Sequence, residues 1–339
     1  MEIRKVQVTG GSSYIVSLPK DWVLSSNIKK NDPLGLIVQQ DGTLLVTPRI
    51  DAVATQRTKE FPVSATTDQA FLYRCLVGAY IAGYTTITLR AQGRMPPSIR
   101  IRVREFTQMA IGQEVVEETE TSITIKDLLN PVEMPFEKTI TRMAVIAKGM
   151  HQDGIEALRS GNQKLAEDVI VRDNDVDRLQ WLIARQCHLV LGDPAVSRRM
   201  NVTPAAAMSY FLTSRIIERI GDHGTRIAKS AIVLLKEGID TGMTAMISEA
   251  SGTSQAIFDR AISSLFGEDL KGANEAIQQV ADLEKKARAI NKAALKYAPV
   301  TATALVSLSD SIRRIGEYST DICENTINIL IDREAGGKH

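Results

Sequence analysis

Apolar and polar positions alternate in short runs along the first third of the chain and then settle into a 3.6-residue period for the remainder. Residues 3 to 9 and 14 to 18 read as two short strands around Gly10-Gly11-Ser12-Ser13, followed by Pro19 and a helical segment through Leu24. Residues 34 to 39 and 43 to 48 are apolar and β-branched and flank Asp41-Gly42, a hairpin-turn pair. From residue 58 to 130 strand and helix patterns alternate. Asp68 to Tyr84 reads as a helix ending near Gly83, Thr85 to Leu89 as a strand, and Glu114 to Glu118 and Ser122 to Lys126 as two more. Ile99 to Arg104 alternates strictly, which is a strand pattern, yet it follows the helix-opening pair Pro96-Pro97 and is assigned to a helix.

Beyond Pro131 and Pro135 strand signals stop. Long helical stretches are broken near Gly161, Gly192 to Pro204, Gly238 to Gly242, Gly267 and Pro299, which implies six long helices. The last is expected to end near Asp332, with Glu334 to His339 as a frayed tail. The expected division is a β module over 1–50, a small α/β domain over 58–130, and helical bundles over 135–238 and 242–332.

With 339 residues, 44% of them apolar, the chain can fill several cores. Lysine plus arginine (41) nearly balance aspartate plus glutamate (40), so any attraction to nucleic acid or an anionic membrane must be local. No apolar run approaches the ~20 residues a bilayer requires, and the expectation is a soluble, cytoplasmic protein without membrane insertion. Cys75, Cys187 and Cys323 are scattered and odd in number, which argues against a disulfide framework or a cysteine zinc site. No nucleophile–base motif, phosphate loop or dinucleotide fingerprint is present, and the chain is read as non-catalytic.

An internal repeat organises the helical half. Residues 218 to 228, ERIGDHGTRIA, match residues 313 to 323, RRIGEYSTDIC, at an offset of 95. One helix earlier, Asp177 set against Glu284 and Val176 against Leu283 gives an offset of 107, and the twelve-residue difference in offset falls in the Gly192 to Pro204 loop. Two copies of three helices, each with an acidic Arg-Ile-Gly-Asp/Glu element in its third helix, resemble the PhoU family of phosphate-uptake regulators over about residues 135 to 332. The opening Arg4-Lys5-Val6-Gln7, Gly10 to Ser13 and Leu18-Pro19-Lys20 look like an AbrB-type swapped-hairpin domain. Together they resemble an archaeal-type PhoU-like regulator. The fold so implied is multi-domain α+β, with a swapped-hairpin β module, a small α/β middle domain and a pair of three-helix bundles.

Carboxylates at i and i+4 project from one helix face and can share a cation. Such pairs are Asp173 with Asp177 and Glu218 with Asp222 in the first bundle, and Glu317 with Asp321 in the second, where Glu284 stands alone opposite Val280. Paired acids of this kind suit a divalent or ferric ion, with iron, zinc, manganese and magnesium not distinguished. An arbitrary acidic pair is more simply solvated. Asp173 and Asp177, however, fall on a seam with Ala166, Ile170 and Ala184, whereas Glu218 and Asp222 sit nearly opposite the Ile216, Ile220, Ile227 stripe. In the PhoU family the matching acids are associated with multinuclear metal clusters, and the resemblance extends that role to these residues. Val280 and Arg313 depart from the pattern in the second bundle. His188 and His223 are isolated and read as structural.

In the amino-terminal module Arg4, Lys5, Lys20, Lys29, Lys30 and Arg49 oppose Glu2, Asp21, Asp32 and Asp41, a weak positive balance. Arg4, Lys5, Ser12, Ser13 and Lys20 are the candidate contacts to operator DNA, and the thin apolar complement calls for a homodimer. Arg94, Arg100, Arg102 and Arg104 form a second basic cluster that reads as the solvated side of an amphipathic element. Two functions compete: a transcriptional regulator acting through the β module, or an interaction protein that restrains a phosphate ABC transporter ATPase or its sensor kinase.

Overall fold

The computed structural model describes residues 2–38, 42–48, 57–130 and 133–336. Asp41 of the expected hairpin turn, Arg49 and Pro131 lie outside them. The chain divides into two compact units, residues 1–56 and 57–339.

In the first unit β1 (Gln7–Thr9) pairs antiparallel with β2 (Ser13–Ile15), helix α1 (Lys20–Ser25) follows Pro19, and β3 (Gly35–Val38) pairs antiparallel with β4 (Leu44–Thr47). The first hairpin turns through Gly10 and Gly11 at φ 63° and 78°, a left-handed conformation that glycine adopts without a Cβ clash. Both strands are shorter than the sequence pattern suggests, because within one chain the ladder does not extend to residues 3–6 or 16–18.

In the second unit four strands form one mixed sheet in the order β5 (Thr58–Val63), β6 (Thr86–Ala91), β8 (Ser122–Asp127), β7 (Gln113–Glu118). The crossover between parallel β5 and β6 carries α2 (Gln69–Ile81), capped by the Asp68 carboxylate at the amides of Ala70 and Phe71, and α3 (Pro97–Met109) joins β6 to β7. Ile87, Leu89, Ile123 and Ile125 meet Leu76, Tyr80, Ile99, Val103 and Phe106 in one buried core. The alternation from Ile99 to Arg104 is therefore helical: Ile99 and Val103, four apart, are buried, and Ile101 is exposed. β5 escapes a sequence reading because Lys59, Glu60 and Pro62 interrupt it, a composition that an edge strand tolerates.

The rest is helical. α4 (Phe136–Ser160), α5 (Gln163–Gly192) and α7 (Pro204–Glu237) form one bundle, with the short α6 (Pro194–Met200) inside the expected loop; α8 (Thr241–Gly267), α9 (Leu270–Ala294) and α10 (Pro299–Gly336) form the other. No breaker stops α10 at Asp332, and it runs to Gly336; residues 337–339 lie outside the described set. The repeat extends to the caps. Gly161 ends α4 in the left-handed region and the Asn162 side chain caps α5; 107 residues later Glu268 takes the same conformation and Asp269 caps α9.

The two bundles meet through α7 against α10 and α4 against α8. His223 and Tyr318, equivalent positions of the two repeats, pack on each other with ring centroids 5.6 Å apart. A residue that touches its own repeat equivalent lies on the axis relating the copies, so the pair is related by a pseudo-two-fold between α7 and α10. Across the same seam Asn325 Nδ2 donates to the Ser209 carbonyl (3.2 Å) and Thr213 Oγ1 (3.0 Å), and buried His151 pairs with Ser251 (3.0 Å).

The α/β domain is docked on the first bundle through Arg185, 3% exposed, on α5. Its guanidinium donates to the carbonyls of Tyr80 and Tyr84 and to Asp127, and lies over the Tyr80 ring. Trp181, one turn earlier, joins the α/β core and packs edge-on to Tyr73. Arg185→Ala leaves the Asp127 carboxylate buried without its cation, which typically costs about 3–5 kcal/mol. The variant is expected to show a marked fall in thermal unfolding midpoint and early proteolysis between residues 57 and 135; an unchanged midpoint would remove Arg185 as the docking element.

Candidate metal centre

The centre is built where α5 and α7 come closest. Gly221 faces Val176, and a Cβ there would sit 3.4 Å from Val176 Cγ1 and 3.6 Å from Asp173 Oδ1. The two helices pack closely here, and Asp173 and Asp177 of α5 face Glu218 and Asp222 of α7. All four belong to one electrostatic cluster. Burial, then the charges of Asp173, Glu218 and Asp222, push the Asp177 carboxyl up to about 7, against the opposing pull of Arg215. Asp173 is raised by burial and by Asp222, and Glu218 by burial, with Arg215, 3.9 Å away, acting against it. Like charges held in a partly dry seam disfavour one another's ionised forms.

The expectation that Glu218 and Asp222 lie on an unfavourable face of their helix is corrected here. Helix α7 is packed on α4, α5 and α10 at once, so the side opposite the isoleucine stripe is also covered, and the Glu218 side chain is only 20% exposed. Ile216 is only partly buried while Ile217 is fully so. Asp175, by contrast, points outward to Arg178 at 3.8 Å.

The donor set is all oxygen, as hard cations prefer. Beside Asp173 the buried Thr225 hydroxyl acts to lower that carboxyl without reaching full hydrogen-bond geometry. Chemistry and charge thus fit a cation. The convergence is looser: among the described residues no three carboxylate, imidazole or thiolate groups stand close enough to enclose an ion.

The second bundle repeats the backbone and changes the charge. Gly316 takes the place of Gly221, and a Cβ there would fall 2.2 Å from Leu283 Cδ2, the repeat equivalent of Val176. At the position of Glu218 stands Arg313, which is bonded to Glu317 and, at 2.5 Å, to Asp310; Arg314 also reaches Glu317 at 3.1 Å. Arg288 lies 3.4 Å from Glu284. Burial and the neighbouring Glu324 raise Asp321, while Arg219 opposes them. Arginines supply here the positive charge that a bound ion would supply in the first bundle. His188 bonds its own helix at the Ala184 carbonyl, and burial with the nearby Arg226 depresses the buried His223 to about 4, so neither adds a metal donor to the four acids.

The PhoU domain pattern matches residues 140–231 and 247–326, just over half of the chain and one copy per bundle. The chain belongs to the PhoU family. A second pattern, the antidote-toxin recognition MazE bacterial antitoxin, matches residues 7–52. Among curated relatives, the Phosphate-specific transport system accessory protein PhoU homolog 1 of Thermotoga maritima is 22% identical over 57% of this chain and 85% of its own length. The PhoU homolog of Caulobacter vibrioides is 26% identical over 55% and 82%. The crystal structure of PhoU from Pseudomonas aeruginosa superposes with a TM-score of 0.53 at 20% identity, over 58% of this chain and 96% of that one. PhoU from Streptococcus pneumoniae gives 0.51 at 18%. The similarity to these relatives spans little more than half of this PhoU-family chain.

Two contributors to the site escape a sequence reading. Thr225 is one of many helical hydroxyls. Tyr73 of α2 belongs to the intervening domain, yet its hydroxyl is raised by burial and also feels Glu105 and Asp177. The only hint was Arg185, a charged residue set in the apolar run Leu182 to Cys187.

The raised acids set a pH dependence. Folded Asp177 holds its proton to about pH 7, whereas unfolded it loses it near 3.8, the ordinary value of an aspartate. The folded state therefore binds more protons between these values, and its stability falls as pH rises through them. In chelator, Asp173→Asn with Asp177→Asn is expected to raise stability at pH 8 by on the order of 1 kcal/mol, a gain that shrinks below pH 5. Urea unfolding at both pH values checks this; an equal gain at both would show that repulsion is not its source.

Proposed function

We propose that this PhoU-family protein is a cytoplasmic regulator of phosphate transport and phosphate signalling. In this reading the first bundle holds a divalent or ferric cation, and the amino-terminal module joins two chains and carries them to operator DNA. The observation that carries it is the union in one chain of two PhoU domains, like those of proteins named for the phosphate-specific transport system, with a module of MazE type. No helix of the described residues is long and apolar enough to cross a membrane, which suits an accessory role.

The bound cation would supply positive charge to the four acids. Asp173, Asp177 and Asp222, assisted by Glu218, would hold it by swinging inward on helices that Gly221 already keeps close. Glu284, Glu317 and Asp321 would bind more weakly, since arginines already engage Glu284 and Glu317. Elemental analysis of protein purified without chelator is expected to find metal that the Asp173→Asn, Asp177→Asn variant loses. Full loading of that variant would reject these ligands.

Dimerisation is supported by apolar groups left bare in the single chain. Val6 is 60% exposed, Val8 63%, Leu36 66% and Val38 77%. A soluble monomer does not ordinarily leave so many large apolar groups of one small module in water. Removing residues 1 to 50 is expected to give a helical monomer in light scattering, and a persisting dimer would move the interface elsewhere.

DNA contact would run through Arg4, Lys5 and Lys20 with the Ser12 and Ser13 turn. Each neutralised phosphate lowers log affinity by about 0.9 per tenfold rise in salt, so Arg4→Ala with Lys5→Ala should flatten that slope by about 2. One observation favours the second reading, an interaction protein acting on a transporter ATPase or sensor kinase with the module used only for assembly: Arg4 is paired with Glu2 at 2.5 Å, which weakens an already thin basic surface. Absence of salt-dependent DNA binding by the full chain would select it. Arg100 and Arg102 are not a free alternative surface, being engaged by Glu118 and Glu105.

A further inference from the structure

The pseudo-two-fold between α7 and α10 predicts equivalent surroundings at the two ends of their contact. The ends differ. At one, Asn325 of α10 reaches across to Ser209 and Thr213 of α7 and leaves only a smaller pocket of about 150 Å3 beside them. The repeat equivalent of Asn325 at the other end is Ser230, too short to cross, and there the helices part into a groove of about 600 Å3.

The groove is walled by Arg226, Lys229, Ser230 and Val233 of α7, three and four residues apart on one face, and by the first turns of α10 from Pro299 to Ser307. Charge is reversed along with shape: the positions one repeat after Arg226 and Lys229 are Asp321 and Glu324. Among the described residues no ion pair or hydrogen bond engages the Arg226 or Lys229 side chain, although Lys229 feels Asp173 from a distance. Ser230, 6% exposed, has no hydrogen-bond partner among them either. Val233, Val300 and Ala304 make most of the remaining wall apolar.

We propose that this groove binds a small phosphomonoester of mononucleotide size. Its oxyanion is held by Arg226 and Lys229 with the Ser230 hydroxyl, and its body lies on Val233, Val300 and Ala304. A guanidinium and an ammonium one helical turn apart offer several charge-assisted donors to one tetrahedral anion. The amino-terminal end of α10 adds a favourable helix dipole at Val300, Pro299 having no N–H of its own. The volume lies in the range of small-molecule sites and exceeds what a bare phosphate needs. The site lies about one turn beyond the carboxylate cluster on the same face of α7, and its anion ligands do not rest on metal there.

Calorimetric titration of the full chain with AMP and with inorganic phosphate, both in EDTA, tests this. Saturable AMP binding is expected, with inorganic phosphate about tenfold weaker for want of a body, and with AMP affinity down at least about tenfold in Arg226→Gln with Lys229→Gln. Both side chains are exposed, so circular dichroism of the variant should match the parent. Four results would overturn the proposal: no saturable binding of either ligand, unchanged AMP affinity in the double variant, binding that needs metal, or inorganic phosphate binding as tightly as AMP.

Discussion

The close approach of the second and third helices of each bundle is the constraint on which the helical half depends. A Cβ at Gly316 would strike Leu283, and one at Gly221, the same repeat position, would come into van der Waals contact with Val176. Substituting alanine at Gly316 would force a Cβ into Leu283, and overpacking of this kind typically costs about 1–3 kcal/mol. At this approach the α5 acids face the α7 acids, and burial, then the facing charges, raises the proton affinity of Asp173, Asp177 and Glu218. The carboxylate cluster is thus a by-product of backbone proximity as much as of residue choice.

Duplication reproduced this backbone and then let the charges diverge. In the first copy four carboxylates face one another; in the second, Arg313 stands among them and engages Glu317 and Asp310. The same freedom operated along the α7–α10 contact, where Asn325 bridges one end and Ser230 leaves the other open. A pseudo-symmetric scaffold gives each helix pair two equivalent places, and substitution at a handful of them makes the places chemically distinct.

The α/β domain is more than a spacer. Its attachment uses a buried guanidinium that satisfies two backbone carbonyls and one carboxylate, an arrangement that resists separation because removal of any partner strands a charge. The same docking sets Tyr73 of α2 against Trp181, one turn beyond Asp177 on α5, so the charge of Asp177 is felt on the domain side of the interface.

Much of this was legible in the linear chain. The 3.6-residue period, the glycine and proline breaks and the 95-residue offset determined six long helices in two copies, and the acids at i and i+4 marked where charge collects. Local rules suffice for such features, since helix periodicity, caps and turn residues act over a few positions. What the sequence could not decide was which helix faces are covered. Glu218 and Asp222 looked solvated opposite an isoleucine stripe, and only packing of α7 on three neighbours partly covered them. β5 was hidden by Lys59 and Pro62 until pairing with β6 gave it a ladder. Arg185 read as a charge on an apolar face until Asp127, 58 residues earlier, was seen to meet it. Burial and electrostatic coupling are sums over neighbours distant in the chain, and only the tertiary structure supplies those neighbours.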